Sequence, residues 1–177
     1  DRNINQNTCR YYGVKQDNDK HYYPYYNDEG AIVGVKIRTV ADKTFSIQGD
    51  WKEAKLFGMA QFNKGGKYLT IVEGELDALS AFQMMGSKYP VISIKSGAQS
   101  ALKDCKENYE WINSFDKIVI CFDGDEVGQK AAKDVAELFG TKASIMKYTQ
   151  GFKDSSDYLQ QNKQQEFMSQ WWNAEAY

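Results

Sequence analysis

The chain has 177 residues, of which 42% are hydrophobic, enough for one compact core or two small ones. Its formal net charge of −2 argues against a strong autonomous nucleic-acid binder, because binding to phosphates requires concentrated Lys and Arg. Three cysteines far apart and a single histidine support neither a disulfide framework nor a paired-cysteine zinc site.

The first third of the sequence predicts a small α+β subdomain rich in aromatic and basic residues. Asn27 to Gly30 is a turn signal between two of its strands. Gly65-Gly66 is the best candidate for a joint, so we predict one subdomain over residues 1–65 and a second over residues 66–177. The expected elements are a short helix over residues 5–12, ended by Gly13, and strands near residues 22–26, 32–38 and 44–48.

Beyond residue 66, apolar strands alternate with amphipathic helices, which predicts a parallel sheet covered by helices. Val127 belongs to the apolar stripe of one helix, and we expect it to be buried. Trp171 and Trp172 suggest an amphipathic end, and we expect them to pack rather than to stack on bases. The expected strands are 67–72, 90–94, 117–122 and 143–148, and the expected helices are 75–85, segments within 99–113, 126–139 and a last short stretch from Asp154.

Two acidic motifs each follow one of the predicted strands. Glu73-Gly74-Glu75-Leu76-Asp77 follows strand 67–72, and Asp123-Gly124-Asp125-Glu126 follows strand 117–122. Because open α/β sheets bind ligands at the carboxyl ends of their strands, Glu73, Asp123 and Asp125 are expected to converge. Like charges ~4 Å apart repel by roughly 4 kcal/mol at an effective dielectric near 20, and a cation removes that cost.

Mg²⁺ fits such a ligand set, because it takes one or two carboxylates and shares its remaining coordination with water and substrate phosphates. Acidic residues in the first turn of a helix also stabilise the helix end. For Glu75, Asp77 and Glu126, capping and metal binding both stay open at this point.

The two motifs and their spacing resemble a Toprim domain, a fold shared by primases, topoisomerases and some nucleases. The flanking sequence is similar to the primase half of podovirus-type bifunctional primase-helicases, with Twinkle-like mitochondrial relatives a more distant match. The expected fold is α/β: a Toprim parallel sheet flanked by helices, preceded by the smaller α+β subdomain and followed by a helical tail. The matching segments are Asp1-Arg2-Asn3-Ile4, Thr8-Cys9, Tyr12-Gly13, Leu56-Phe57-Gly58, Lys88-Tyr89-Pro90-Val91, Asn108-Tyr109-Glu110 and Trp172-Asn173-Ala174.

This resemblance implies DNA-dependent synthesis of RNA primers in phage replication, with ribonucleoside triphosphates as substrates and single-stranded DNA as template. It implies Mg²⁺ or Mn²⁺ as cofactor and Glu73, Asp123 and Asp125 as catalytic and metal-binding residues, with Glu73 also handling a proton. Asp154 occupies the place of a further acidic residue near the metals, although a position at a helix N-terminus is an open alternative.

Five basic residues are candidates for binding nucleotide or template. Lys36 and Arg38 lie two apart on a predicted strand and so face one way, and Lys43 and Lys52 follow in the same subdomain. The resemblance implies that such residues hold phosphates, as charge-assisted hydrogen bonds favour. Lys95 joins them, although the turn at residues 93–97 has Lys95 and Ser96 where relatives often have Gly and His.

Partners and location follow from the same resemblance. In the family, a zinc-binding module precedes this region and a hexameric helicase follows it, and neither is present in the sequence. The sequence begins at Asp1, lacks a signal-peptide pattern and has no apolar run near the ~20 residues of a membrane span. We therefore expect an excised fragment of a phage protein in the host cytoplasm, with no membrane partner.

Two other functions use the same fold. A Toprim-type metal-dependent nuclease would cleave with the same carboxylates, and the basic N-terminal subdomain argues against it. A non-catalytic Toprim module would bind DNA or assist assembly, and the retention of all three central carboxylates argues against that alternative.

Overall fold

The computed structural model describes residues 2–177, so Asp1, which belongs to the first segment of the family resemblance, lies outside the described part. The helices are α1 (Gln6–Tyr12), α2 (Glu75–Met84), α3 (Ala101–Glu107), α4 (Tyr109–Asn113), α5 (Glu126–Phe139), α6 (Ser155–Gln160) and α7 (Gln164–Trp172). The strands are β1 (Lys15–Asp17), β2 (Lys20–Tyr26), β3 (Ile32–Thr39), β4 (Phe45–Gly49), β5 (Tyr68–Val72), β6 (Val91–Ser93), β7 (Lys117–Cys121), β8 (Ala143–Ile145) and β9 (Glu175–Ala176).

The N-terminal part is one helix and an antiparallel sheet. The side chain of Asn5 caps α1 by accepting a hydrogen bond from the backbone N–H of Thr8, and Gly13 ends the helix in a left-handed conformation with a φ of 73°. Strands β1 to β4 then pair in sequence order, each antiparallel to the next. The expected helix and three strands are confirmed, and β1 is an addition that the sequence did not predict.

The second sheet has the strand order β6-β5-β7-β8-β9. Its first four strands are parallel, and β9 runs antiparallel to β8. The predicted parallel sheet covered by helices is therefore confirmed. Strand β8 ends at Ile145 rather than at residue 148, because the chain leaves the sheet there and approaches the second acidic motif. The carbonyl of Lys153 accepts a hydrogen bond from the backbone N–H of Gly124 at 2.8 Å.

Alternating residues of β5 and β7 build one core on each face of this sheet. Leu69 and Ile71 face the cluster covered by α3 and α5, whereas Val72 faces the cluster covered by α2, α6 and α7. Because both faces are covered, the strands read as continuous apolar runs rather than as alternating ones. In α5, Val127 was expected to be buried and is 66% exposed, so this expectation was wrong: Val127 lies in the first turn, ahead of the part of the helix that packs on the sheet.

The C-terminal helix α7 packs against the same sheet. Trp171 is buried, as expected, and its indole N–H donates a hydrogen bond to Thr70 Oγ1 at 2.9 Å. Trp172 differs from the expectation, because it is 54% exposed. Among residues 2–177, no helix combines the length and apolar character needed to cross a membrane.

Both parts of the chain share an apolar cluster and several hydrogen bonds. Tyr25 from β2 and Val72 from β5 belong to one buried cluster. The hydroxyl of Tyr12 donates to the carbonyl of Val91 at 2.7 Å. The expected joint at Gly65-Gly66 is held by a hydrogen bond, since the backbone N–H of Gly65 donates to Ser114 Oγ at 2.9 Å. The division into residues 1–65 and 66–177 stays a prediction.

The hydrogen bond between Trp171 and Thr70 gives a stability prediction. Thr70→Val keeps the side-chain shape but leaves the buried indole N–H unpaired, which costs about 1–3 kcal/mol. For a chain of this size, each kcal/mol lowers the melting temperature by about 2–4 °C. Thermal unfolding of Thr70→Val checks this, with the exposed Thr141→Val as control, expected within about 0.5 kcal/mol of the parent. Equal melting temperatures for the two variants would contradict the prediction.

Candidate metal centre

Parallel pairing of β5 with β7 brings the two acidic motifs together. Val72 pairs with Cys121, so the residues that follow these strands leave the same edge of the sheet side by side. Glu73 Oε1 and Asp123 Oδ1 are both buried and have no hydrogen-bond partner among the described residues. Buried carboxylate oxygens without donors are costly, so this pair fits a cation.

Three aspartates form a compact cluster at this edge. One carboxylate oxygen from each of Asp77, Asp123 and Asp154 lies within 4.8 Å of the others, an arrangement that suggests metal binding. Asp77 lies in the first turn of α2, where its Oδ1 accepts from the backbone N–H of Ser156 at 2.9 Å. Asp154 precedes α6 and caps it by accepting from the backbone N–H of Asp157 at 2.9 Å.

The electrostatics of the cluster favour its neutral forms when no cation is bound. Burial, followed by the charge of Asp123, raises the pKa of Glu73 from its usual 4.5 to about 8. Burial is also the main cause that raises the pKa of Asp123 to about 6. It raises the pKa of Asp154, and it raises that of Asp77 well above the usual range. These four carboxyl groups therefore hold protons at higher pH than ordinary acids do.

Close approach at this site depends on a glycine. A Cβ atom at Gly128 would lie 2.3 Å from the carbonyl oxygen of Asp123 and 2.9 Å from Glu73 Oε1. Any side chain there would push the first turn of α5 away from both acidic residues. Gly128 thus allows the second motif and the helix after it to lie against Glu73.

Asp125 has a different position from Asp123. It is exposed and caps α5, with Oδ1 accepting from the backbone N–H of Gly128 at 2.7 Å. Its charge still contributes to raising the pKa of both Glu73 and Asp123, so it lies near the cluster. Of the residues expected at the metal, the structure therefore gathers Glu73, Asp123 and Asp154, with Asp125 beside them as a helix cap.

Asp77 was left open between capping and metal binding, and the structure places it in the cluster. The signal was its spacing, because Asp77 follows Glu73 by four residues. The first turn of α2 brings the side chain of Asp77 back towards the end of β5. Arg2 was missed altogether. Its Nη1 donates to Ser156 Oγ at 3.1 Å, next to Asp77, and Asn3 Nδ2 donates to the carbonyl of Leu159 at 3.1 Å.

Glu75 does not cap α2, because its side chain points into the interior. It is 5% exposed and forms an ion pair with Lys36, whose Nζ lies 2.7 Å from Glu75 Oε2. The hydroxyl of Tyr25 donates to the same oxygen. Lys36 Nζ also donates to the carbonyl of Lys95 at 2.5 Å. This buried network joins β2 and β3 to the start of α2.

A basic cleft of about 940 Å³ opens between the N-terminal sheet, α1 and α2. Arg38 and Lys43 both line it. The guanidinium of Arg38 is buried, and its Nε has no hydrogen-bond partner among the described residues. Lys43 has a left-handed backbone with a φ of 59°. Within the described chain, the charged side chains that line the cleft are Arg2, Arg10, Lys15, Asp19, Arg38 and Lys43.

The two other lysine candidates lie outside this lining. Lys52 is exposed on the turn after β4, where its backbone N–H donates to Asp50 Oδ1 at 3.1 Å. Lys95 Nζ donates to the carbonyls of Trp51 and Ala54 at 3.1 and 2.9 Å, and burial lowers its pKa. Lys95 thus ties the turn after β6 to the segment that follows β4.

Comparisons with known proteins agree on one family. A family model described as Toprim-like matches residues 70–159. The chain is 33% identical over 177 residues to the DNA helicase/primase of Enterobacteria phage T3, and the match covers 98% of this chain and 31% of that protein. The chain therefore spans about a third of the length of this curated relative.

Two solved structures from bacteriophage T7 are similar to this fold. The primase fragment of the T7 primase-helicase protein matches with a TM-score of 0.85 and 34% identity, over 96% of this chain and 71% of that one. A chain of a second structure matches with a TM-score of 0.88 and 34% identity, over 98% and 89%. In it, the lagging-strand DNA polymerase interacts with primase domains of two subunits bound to an RNA/DNA hybrid and dTTP.

A first prediction concerns the stability of the metal-free protein. Asp123→Asn removes one of the crowded charges, so in chelator it should stabilise the fold on the order of 1 kcal/mol, or about 2–4 °C in melting temperature. Mg²⁺ or Mn²⁺ should stabilise the parent and do much less for the variant. Differential scanning fluorimetry measures both effects, and Asp134→Asn in α5 is the control. Equal metal stabilisation of Asp123→Asn and parent would remove Asp123 from the site.

A second prediction concerns pH. Because the folded protein holds the Glu73 proton more tightly than the unfolded chain, the stability it contributes is present below pH 4.5 and is lost as the pH rises towards about 8. In chelator, the melting temperature of the parent should fall across this window. Glu73→Gln should flatten the fall, whereas the exposed Glu53→Gln should not. A parent profile as flat as that of Glu73→Gln would show that Glu73 is not strained by its neighbours.

Proposed function

Since the chain belongs to the Toprim-like family and is similar over nearly all of its length to primase domains of phage primase-helicases, we propose that it synthesises RNA primers on single-stranded DNA during phage replication. The reaction is nucleotidyl transfer from ribonucleoside triphosphates. The observation that carries the proposal is the cluster of Asp77, Asp123 and Asp154, with Glu73 next to Asp123 and unpaired buried oxygens on Glu73 and Asp123.

The proposed partners follow from the relatives. The T7 primase domains in one structure are bound to an RNA/DNA hybrid, which supports a single-stranded DNA template for this chain. The phage T3 relative is a helicase as well as a primase, and this chain matches 31% of its length. This supports a helicase as part of the full-length protein. From the family resemblance alone, we further propose that this helicase is hexameric, that a zinc-binding module precedes the chain and that the protein acts in the host cytoplasm.

Mg²⁺, or Mn²⁺ in its place, is the cofactor that the donor set fits, because hard divalent cations prefer carboxylate oxygens. Glu73, Asp77, Asp123 and Asp154 would hold it, with Asp125 contributing charge from the end of α5. When bound, such a cation neutralises developing charge on the attacking and leaving oxygens of phosphoryl transfer.

The protein's own groups then have distinct tasks. The 3′ oxygen of the growing primer bonds to the α-phosphorus of the incoming nucleotide, and pyrophosphate leaves. Glu73, whose carboxylate lies beside Asp123 at the end of β5, is our candidate acceptor for the proton of the attacking hydroxyl. Arg38 and Lys43, in the basic cleft, are placed to hold triphosphate or template phosphates.

Lys36, Lys52 and Lys95 stay candidates of the same kind. The side chain of Lys36 pairs with buried Glu75, and that of Lys95 donates to the carbonyls of Trp51 and Ala54, so replacing either lysine affects stability together with activity. Lys52 has an exposed side chain. A change in activity of Lys52→Ala is therefore the cleaner sign of a template contact.

Template-dependent primer synthesis with Mg²⁺ or Mn²⁺ tests the proposal. Glu73→Gln should lower the rate by about 10²–10⁴-fold, the usual contribution of a proton-transfer group. Asp123→Ala should be comparably inactive, and the control Asp134→Ala should be as active as the parent. Full activity of Asp123→Ala would refute the assignment of the metal site.

A companion experiment separates the two features of Asp125. Asn is as good an N-cap as Asp, so Asp125→Asn preserves the start of α5 while it removes the charge. We expect primer synthesis to fall, whereas the free energy of unfolding should stay within about 0.5 kcal/mol of that of the parent. Unchanged activity would leave Asp125 as a helix cap alone.

Incubation of parent protein with labelled single strands, without nucleotides, should show no cleavage, whereas cleavage would favour the nuclease alternative.

A further inference from the structure

The amino-terminal ends of the parallel strands, opposite the acidic centre, carry a row of lysines. Lys67 immediately precedes β5, Lys88 precedes β6 and Lys117 begins β7. These three strands are neighbours in the order β6-β5-β7 and lie about 4.8 Å apart, so the lysines at or ahead of their first residues share one end of the sheet. The five residues of β5 put this edge about 16 Å from the acidic centre, and it is separate from the basic cleft.

Aromatic rings lie between these lysines. Tyr68 and Tyr89 contact each other with ring centroids 5.0 Å apart, and Trp172 contacts Tyr68 at 5.4 Å and Tyr89 at 6.4 Å. Trp172 is 54% exposed. Beneath them, Trp171 is buried, stacks on Tyr89 at 5.7 Å and is fixed by its hydrogen bond to Thr70. Trp172 is therefore an exposed ring next to a buried and hydrogen-bonded tryptophan.

The lysines are free to bind an anion. Lys67 Nζ lies 5.5 Å from the ring centroid of Tyr68, and Lys88 Nζ lies 5.2 Å from that of Tyr89. Lys117 is exposed and pairs with Tyr68 in the strand register. Ion pairs found within residues 2–177 involve none of the three. Asp116 precedes Lys117 in the sequence and is outnumbered by the three lysines, in a chain whose net charge is −2.

We propose that this surface, formed by Lys67, Tyr68, Lys88, Tyr89, Lys117 and Trp172, binds a single strand of nucleic acid. Bases stack on Trp172 and the adjoining tyrosine rings, and the lysines contact the backbone phosphates. A duplex does not present unpaired bases to these rings. An apolar protein partner would bury three lysines without counter-charges, which is costly.

The proposal goes beyond primer synthesis and does not rest on it. Binding is measured without nucleotides and in chelator, so neither the acidic centre nor catalysis contributes. Failure of this binding leaves the polymerase assignment untouched. Conversely, loss of primer synthesis in Asp123→Ala says nothing about the opposite edge of the sheet.

The charge test uses fluorescence anisotropy of a labelled oligo(dT) of about 16 nucleotides, the upper range of single-strand site sizes. The parent background carries Lys15→Glu and Lys43→Glu, two exposed residues that line the basic cleft, so that binding in the cleft is weakened without a change at a buried position. The test variant adds Lys67→Glu and Lys88→Glu. The matched control instead adds Lys106→Glu on α3 and Lys133→Glu on α5, whose side chains are exposed and belong to none of the ion pairs found within residues 2–177.

We expect the test variant to bind at least about fivefold more weakly than the control. We also expect the slope of log affinity against log salt to become shallower by about 0.7 for each phosphate that the variant no longer neutralises. Equal affinities of test variant and control, or equal slopes, would overturn the proposal, because the effect would then reflect net charge alone.

The stacking test replaces Trp172. Trp172→Ala should weaken binding by about 5- to 150-fold, the range for the loss of one stacked base, and Trp172→Phe should restore most of it. Thermal unfolding confirms that both variants are folded. If Trp172→Ala binds as the parent does, or if it alters self-association in light scattering without affecting DNA binding, the surface serves a protein partner and the proposal is wrong.

Discussion

Electrostatic crowding at the carboxyl edge of the parallel sheet is the constraint on which the rest of the structure depends. Glu73 and Asp123 leave two directly paired strands, and α2 and the residue that caps α6 add Asp77 and Asp154 to the same small volume. Apolar packing on both faces of the sheet holds these strands together in spite of the repulsion. A bound cation would relieve the repulsion that this packing otherwise has to overcome.

The N-terminal sheet is joined to the parallel sheet next to the acidic centre, through contacts of Lys36 and Tyr25 with Glu75. Glu73 and Glu75 are two residues apart, yet the first points to the acidic centre and the second into the interior, where it pairs with Lys36 and accepts from Tyr25. Removing one member of such a buried pair leaves an uncompensated charge. The ion pair therefore fixes β3, and with it Arg38, in a definite place relative to the acidic centre.

Sequence patterns predicted the strands and helices well because the core is strongly periodic. They did not show β1 and β9, which have three and two residues and are too short for any periodicity. Glu73 and Asp123 could be found from their positions after apolar strands. Asp77 carried a signal in its spacing of four residues after Glu73, although the sequence left its role open. Arg2 could not be found, because its position depends on how the N-terminal segment packs against α6, a long-range contact that local spacing does not encode.

The position of the first described residues has a consequence for assembly. Arg2 contacts Ser156 and Asn3 contacts α6, so the polypeptide enters the fold beside the acidic centre rather than at its far side. A module joined ahead of Arg2 by a short flexible linker would be tethered there at an effective concentration of ~mM. Even a weak intrinsic affinity of that module for a ligand would then suffice to hold this ligand beside the acidic centre.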